Sequence, residues 1–147
     1  MNRCPITYEL CGRNKYSEKG LSLISPTLKS LNDLPFTALE QRQEAINRAS
    51  KLSVQGVQPK LSAVISVIKQ QFQIVNQFGN YIIKPPNELF PELPENEDLT
   101  MKMAKIYGIE VPLHGLIYAK DGTKSYFIKR FDRFCVNFAT TMDFFKN

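Results

Sequence analysis

The chain has 147 residues, 43% of them hydrophobic and 11% aromatic, which is enough for one domain with a real core and excludes wholesale disorder. A formal charge of +5 suits a phosphate-rich ligand or an acidic partner but lacks the density of a dedicated nucleic-acid binder, so no direct nucleic-acid role is expected. Cys4, Cys11 and Cys135 form no C-x-x-C pair, no secretory signal precedes them, and no apolar run approaches the ~20 residues of a membrane helix, so a cytoplasmic chain with free thiols and no membrane contact is expected.

Pro5, Gly12, Gly20, Pro26 and Pro35 punctuate the first 35 residues, which predicts loops with short helical turns at Lys19 to Ile24 and Thr27 to Leu31. Thr37 stands three residues before Glu40 as in a capping box, and Leu39, Ala45, Ile46, Ala49 and Leu52 make an apolar stripe, so a helix is predicted from Ala38 to about Ser50. After a loop at Gln55 to Lys60, the β-branched run Leu61 to Ile68 and the segment Phe72 to Asn76 flank Lys69-Gln70-Gln71, which predicts a hairpin. Tyr81 to Lys84 reads as a third strand, stopped by Pro85-Pro86 because neither proline can donate to a ladder. Glu95, Glu97 and Asp98 crowd the start of the next helix and Gly108 suits its left-handed cap. Leu99, Met103 and Ile106 line one face of that helix and Met101 and Ala104 another, so it is expected to be sandwiched. Gly115 to Ala119 and Ser125 to Phe131 are then two strands joined across Asp121-Gly122.

Three features in this order draw attention to chemistry. Gln55, Gly56, Val57, Gln58, Pro59 and Lys60 form a short loop whose backbone N–H groups and single ammonium could face anionic oxygens; one glycine makes it neither a Walker A motif nor G-x-G-x-x-G. Lys84 closes an apolar strand, a position that also suits a lysine snorkelling to solvent. Lys129, Arg130 and Phe131 end the last strand in a charged cluster, where Asp132 and Arg133 are expected to pair. A phosphate-covering loop, a strand lysine and a strand-end hinge are the parts of half a kinase nucleotide site. Glu97 lies one turn before Met101 and Ala104 and can face the sheet towards Lys84, although a helix-start charge is an equal reading; Glu95 and Asp98 are expected to be surface charges. His114 is expected to be structural, in a loop, and with three scattered cysteines it makes no metal site.

The wording of these segments, SVQGVQPKL from Ser53, YIIKPP from Tyr81, LPENEDLT from Leu93, GIEVPLHG from Gly108 and FIKRFDR from Phe127, resembles the HipA-like serine/threonine kinases of bacterial toxin–antitoxin modules. The resemblance runs from Cys4 to Arg133 and is strongest to the short, HipT-like form. It implies an α+β fold: a kinase small-lobe-like antiparallel sheet of about five strands with a packed helix after the third, a helical extension over 1–52, a nucleotide lobe over 53–133 and a divergent tail over 134–147.

By the same resemblance, Gln55 to Lys60 would cover the phosphates of ATP, Lys84 would pair with them while held by Glu97, and Lys129 to Phe131 would read the adenine edge through their backbone. Ser53 falls on the autophosphorylated position; Gln55 replaces a second serine found in some relatives, so a two-site switch is not expected. ATP and Mg²⁺ are the implied cofactors. A HipB-like antitoxin and a HipS-like small protein are the implied partners, and an aminoacyl-tRNA synthetase the implied substrate. The family's catalytic aspartate and Mg²⁺ ligands belong to a C-lobe, and Phe134 to Asn147 does not resemble its start, so no catalytic or metal-binding residue is assigned here. The expectation is a lobe truncated before its catalytic half and inactive alone, or else a non-catalytic module that engages an antitoxin or a separate C-lobe chain.

Overall fold

The computed structural model describes residues 1–49 and 58–132. A short ribbon pairs β1 (Asn2–Arg3) with β2 (Leu10–Gly12), and helices α1 (Glu18–Ile24) and α2 (Ala38–Ala49) follow. Next come β3 (Leu61–Ser66), β4 (Gln71–Ile74) and β5 (Tyr81–Lys84), then α3 (Leu93–Ile106), β6 (His114–Tyr118) and β7 (Lys124–Lys129). The last five strands form one antiparallel sheet in the order β4-β3-β5-β7-β6, so the fold is α+β.

Local chemistry accounts for the element ends. Ser17 Oγ accepts from the Gly20 N–H at 3.0 Å and starts α1. At α2 the box closes in both directions: Thr37 Oγ1 accepts from the Glu40 N–H at 3.1 Å, and the Glu40 carboxylate accepts from the Thr37 N–H at 2.7 Å. Gly108 ends α3 at φ +83° and Gly122 turns the β6–β7 hairpin at φ +80°, conformations that only glycine adopts without strain.

The helical turn expected at Thr27 to Leu31 does not form. Pro26 and Thr27 make a single turn and the chain then runs extended, burying Leu28, Leu31 and Leu34. The extended run is favoured because it hydrogen-bonds the sheet edge: Leu34 N–H donates to Tyr118 O at 2.9 Å and Lys120 N–H to Leu34 O at 2.9 Å. Together with β1, β2 and α1, this segment forms a layer over one face of the sheet. That face carries Leu61, Ala63, Phe72, Tyr81, Ile83, Ile117 and Phe127, and the layer adds Cys4, Ile6, Tyr16, Leu21, Ile24, Leu28, Leu31 and Leu34 to the same core. Phe72 packs on Tyr81 and Phe127 at centroid separations of 5.1 and 5.3 Å.

Two expected helix faces are corrected. On α2, Leu39 and Ile46 are 62% and 64% exposed, and the buried face is Ala38, Gln41 and Ala45; Leu52 lies outside the described residues. Gln41 tolerates burial because its amide accepts from Ser125 Oγ at 2.8 Å and donates to Phe36 O. On α3, Leu99, Met103 and Ile106 face solvent, so the helix is peripheral rather than sandwiched, and its buried residues are Pro94 and Asp98.

Candidate functional site

Strand alternation divides the sheet into a face turned to the core and a face turned to α3. Lys84 pairs in register with Tyr126 and Ile82 with Ile128, which puts all four on the α3 side. Lys84 is the last residue of β5, and Pro85, itself fully buried, stops the strand there. Arg42 of α2 fastens the outgoing segment, donating to Pro86 O at 3.0 Å and to Glu88 at 2.9 Å. No sequence signal marks that brace, because Arg42 sits among other polar residues of an amphipathic helix.

From α3, Glu97 reaches the strand. Its Oε2 accepts from Lys84 Nζ at 2.7 Å, and the two side chains are 22% and 24% exposed. The ammonium also lies 5.7 Å from the centre of the Tyr126 ring, a cation–π distance. Beside the pair a cleft of about 350 Å³ opens between α3 and the sheet, with Leu93, Met101, Tyr126 and Ile128 as its apolar walls. A half-buried charge pair beside an apolar cleft can orient a ligand that carries both charged and apolar parts.

Lys60 adds a second cation. Leu61 pairs with Ile83, so Lys60 stands one step beyond the ladder opposite Lys84, and strand alternation puts it on the α3 side as well. Gln58, Pro59 and Lys60 are half-buried, and Gln58 Nε2 has no hydrogen-bond partner among the described residues. Ser53, Gln55, Gly56 and Val57 lie outside the described residues.

At the other end of the site, two of the three expected hinge amides are already engaged. Lys129 N–H donates to Leu113 O at 2.7 Å and Arg130 N–H to Asn80 O at 2.8 Å, so among the described residues Phe131 is the hinge position whose N–H has no backbone acceptor. Phe131 is 79% exposed. Arg130 Nε donates to Asp132 at 2.9 Å; the expected pairing of Asp132 with Arg133 lies outside the described residues.

A second polar cluster lies behind Glu97. Asp98, expected at the surface, is fully buried. Its carboxylate accepts from Lys102 Nζ at 2.7 Å and from the Tyr8 hydroxyl at 2.8 Å, and His114 Nδ1 lies 2.8 Å from Oδ1, where an ionised acceptor assigns the proton to Nδ1. Burial pushes the Asp98 carboxyl up, but hydrogen bonds from His114, Lys102 and Tyr8 outweigh it and hold it below its ordinary value. Burial and then Asp98 push the Tyr8 hydroxyl well above its ordinary value. His114 is buried and opens β6 rather than lying in a loop. Among the described residues no group of three or more His, Cys, Asp and Glu side chains could hold a metal ion. Nor, among them, is any helix long and apolar enough to cross a membrane.

Residues 52–145 match the family of the HipA-like C-terminal domain, which covers more than half of the chain, and the chain belongs to that family. It is 36% identical over 141 residues to a Haemophilus influenzae protein named "Putative kinase", a match that covers 90% of this chain and 40% of the relative. It is 29% identical over 108 residues to the Sinorhizobium fredii protein "Putative kinase Y4mE", covering 73% of this chain and 24% of that one. The chain thus spans well under half the length of the curated relatives it matches.

Proposed function

We propose that this chain is the nucleotide-binding lobe of a HipA-like serine/threonine kinase, of the short HipT-like kind, working within a toxin–antitoxin module. The observation that carries the reading is the Lys84–Glu97 pair at 2.7 Å beside the cleft. In phosphoryl transfer there is little covalent chemistry for the protein to do, and the lobe's role is to position the triphosphate and neutralise its charge. Lys84 would contact the α- and β-phosphates, with Glu97 holding the ammonium in place and the Tyr126 ring limiting its swing. Lys60 would supply a second positive charge, carried on the loop from Gln55 that would close over the phosphates. The base would lie against Ile82 and Ile128, with the Phe131 amide at its edge. Phosphate on Ser53 would place negative charge on that loop and expel it from the site. A synthetase substrate and HipB- or HipS-like partners belong to the same reading, in which the described residues supply neither the catalytic aspartate nor the Mg²⁺ ligands.

Titration with a fluorescent ATP analogue tests it. Wild-type protein should bind saturably, and Lys84→Met should weaken binding at least tenfold, because a charge-assisted contact to phosphate is lost; Glu97→Gln should weaken it less. No saturable binding by the wild type, or equal binding by Lys84→Met, would overturn the reading. A non-catalytic role is favoured by one observation, the exposed Leu99, Met103 and Ile106 on α3. Stable co-purification with a co-expressed antitoxin or C-lobe chain that Met103→Glu abolishes, without nucleotide binding, would select it.

A further inference from the structure

α3 carries Glu97, yet its own hydrophobic anchorage is slight. It packs mainly on β6 and β7, and of its 14 residues the two that are buried are Pro94 and Asp98. Leu99, Met103 and Ile106, which would hold an ordinary amphipathic helix to its support, are 49%, 49% and 83% exposed. Apolar burial therefore does little to set how α3 is turned about its axis. A buried carboxylate does much more, because losing its partners inside the protein is costly. Each residue advances a helix by about 100°, so fixing the rotation at Asp98 fixes where its neighbour Glu97 points.

The partners of that carboxylate come from three separate parts of the molecule. Lys102 belongs to α3 itself, His114 opens β6 in the sheet, and Tyr8 comes from the N-terminal layer 90 residues upstream. Tyr8 is itself firmly placed, at φ +62°, in the left-handed region that a tyrosine rarely adopts. Its N–H donates to Cys4 O at 2.8 Å and its carbonyl accepts from Arg3 Nη1 at 2.9 Å, while Lys102 Nζ stands 4.2 Å above the ring.

We propose that Asp98 is the positioning residue for the lysine–glutamate pair and that Tyr8 is its latch, so that the N-terminal layer controls the nucleotide site through one buried carboxylate. Releasing the Tyr8 hydroxyl lets α3 turn, carries Glu97 off Lys84 and leaves the ammonium free. The importance of this device for kinase activity rests on the nucleotide-binding function proposed for the site; the geometric coupling does not.

The test reads Lys84 itself. Limited acylation with an amine-reactive ester, followed peptide by peptide by mass spectrometry, reports the freedom of each lysine. Tyr8→Phe, which removes one oxygen, should raise Lys84 labelling at least threefold, towards the rate of Glu97→Gln, and should speed amide exchange in Leu93–Ile106. Labelling of Lys69 and amide exchange in β3 and β5 should stay at wild-type values, which a general loss of structure would not allow. Asp98→Asn should do the same as Tyr8→Phe; if it fails to fold, Tyr8→Phe decides alone. Unchanged Lys84 labelling in the folded Tyr8→Phe variant would overturn the proposal. A wild type that binds no nucleotide would sink the nucleotide-binding function and leave this labelling result intact.

Discussion

Asp98 ties together Tyr8, Lys102 and His114, and its charge state sets when it does so. Its folded carboxyl binds its proton less tightly than the unfolded one, so its stabilisation is fully present above the unfolded value of about 3.9 and is lost as pH falls through the lower folded value. Asp98→Asn should therefore cost about 3 kcal/mol near neutrality, within the range for breaking a buried charge pair, and the gap from wild type should shrink below about pH 4. Urea midpoints measured across that range check the sign; a constant gap would mean that the charge is irrelevant. Lys84 and Glu97 could be brought together from the sequence because they lie 13 residues apart and helical spacing aligns Glu97 with Met101 and Ala104. Asp98 could not, because Tyr8 is 90 residues away. One local sign was available, the four-residue step from Asp98 to Lys102, but it reads equally well as a surface pair.

At the level of elements, boundaries followed from local chemistry and faces did not. Thr37 and Glu40 marked the start of α2, and Tyr81 to Lys84 marked β5, since caps and prolines act on the backbone within a few residues. Thr37→Ala should remove the Glu40 N–H acceptor and cost about 1 kcal/mol, read as a lower urea midpoint with an unchanged slope. The buried side of α2 was misread because hydrophobicity pointed to Leu39 and Ile46, whereas Gln41 is buried on a partner, Ser125, that belongs to the last strand. α3 shows the same limit: its apolar residues are exposed and its acid is buried, an inversion that only the position of β6 and the N-terminal layer explains.

Across the whole molecule, the N-terminal layer supplies about half of the core. Ile6, Leu21, Ile24, Leu28, Leu31 and Leu34 lie in the same cluster as Phe72, Tyr81 and Phe127. Burying those six aliphatic side chains contributes roughly 9–18 kcal/mol at about 1.5–3 kcal/mol each, as much as the ~5–15 kcal/mol net stability of a typical domain. Deleting residues 1–36 should accordingly leave a chain without cooperative thermal unfolding and with strong binding of a hydrophobic dye; a sharp melting transition would contradict this. The sequence marked where this segment turns but not what it packs on, since punctuation by proline and glycine says nothing about partners far along the chain. The same long reach sets a schedule for folding. Tyr8 and Tyr16 meet partners 90 and 102 residues later, and contacts so distant in sequence slow the search for the native state. During synthesis residues 1–36 leave the ribosome before β6 and must wait, unsatisfied, until it has emerged, so this layer is made early and locked late.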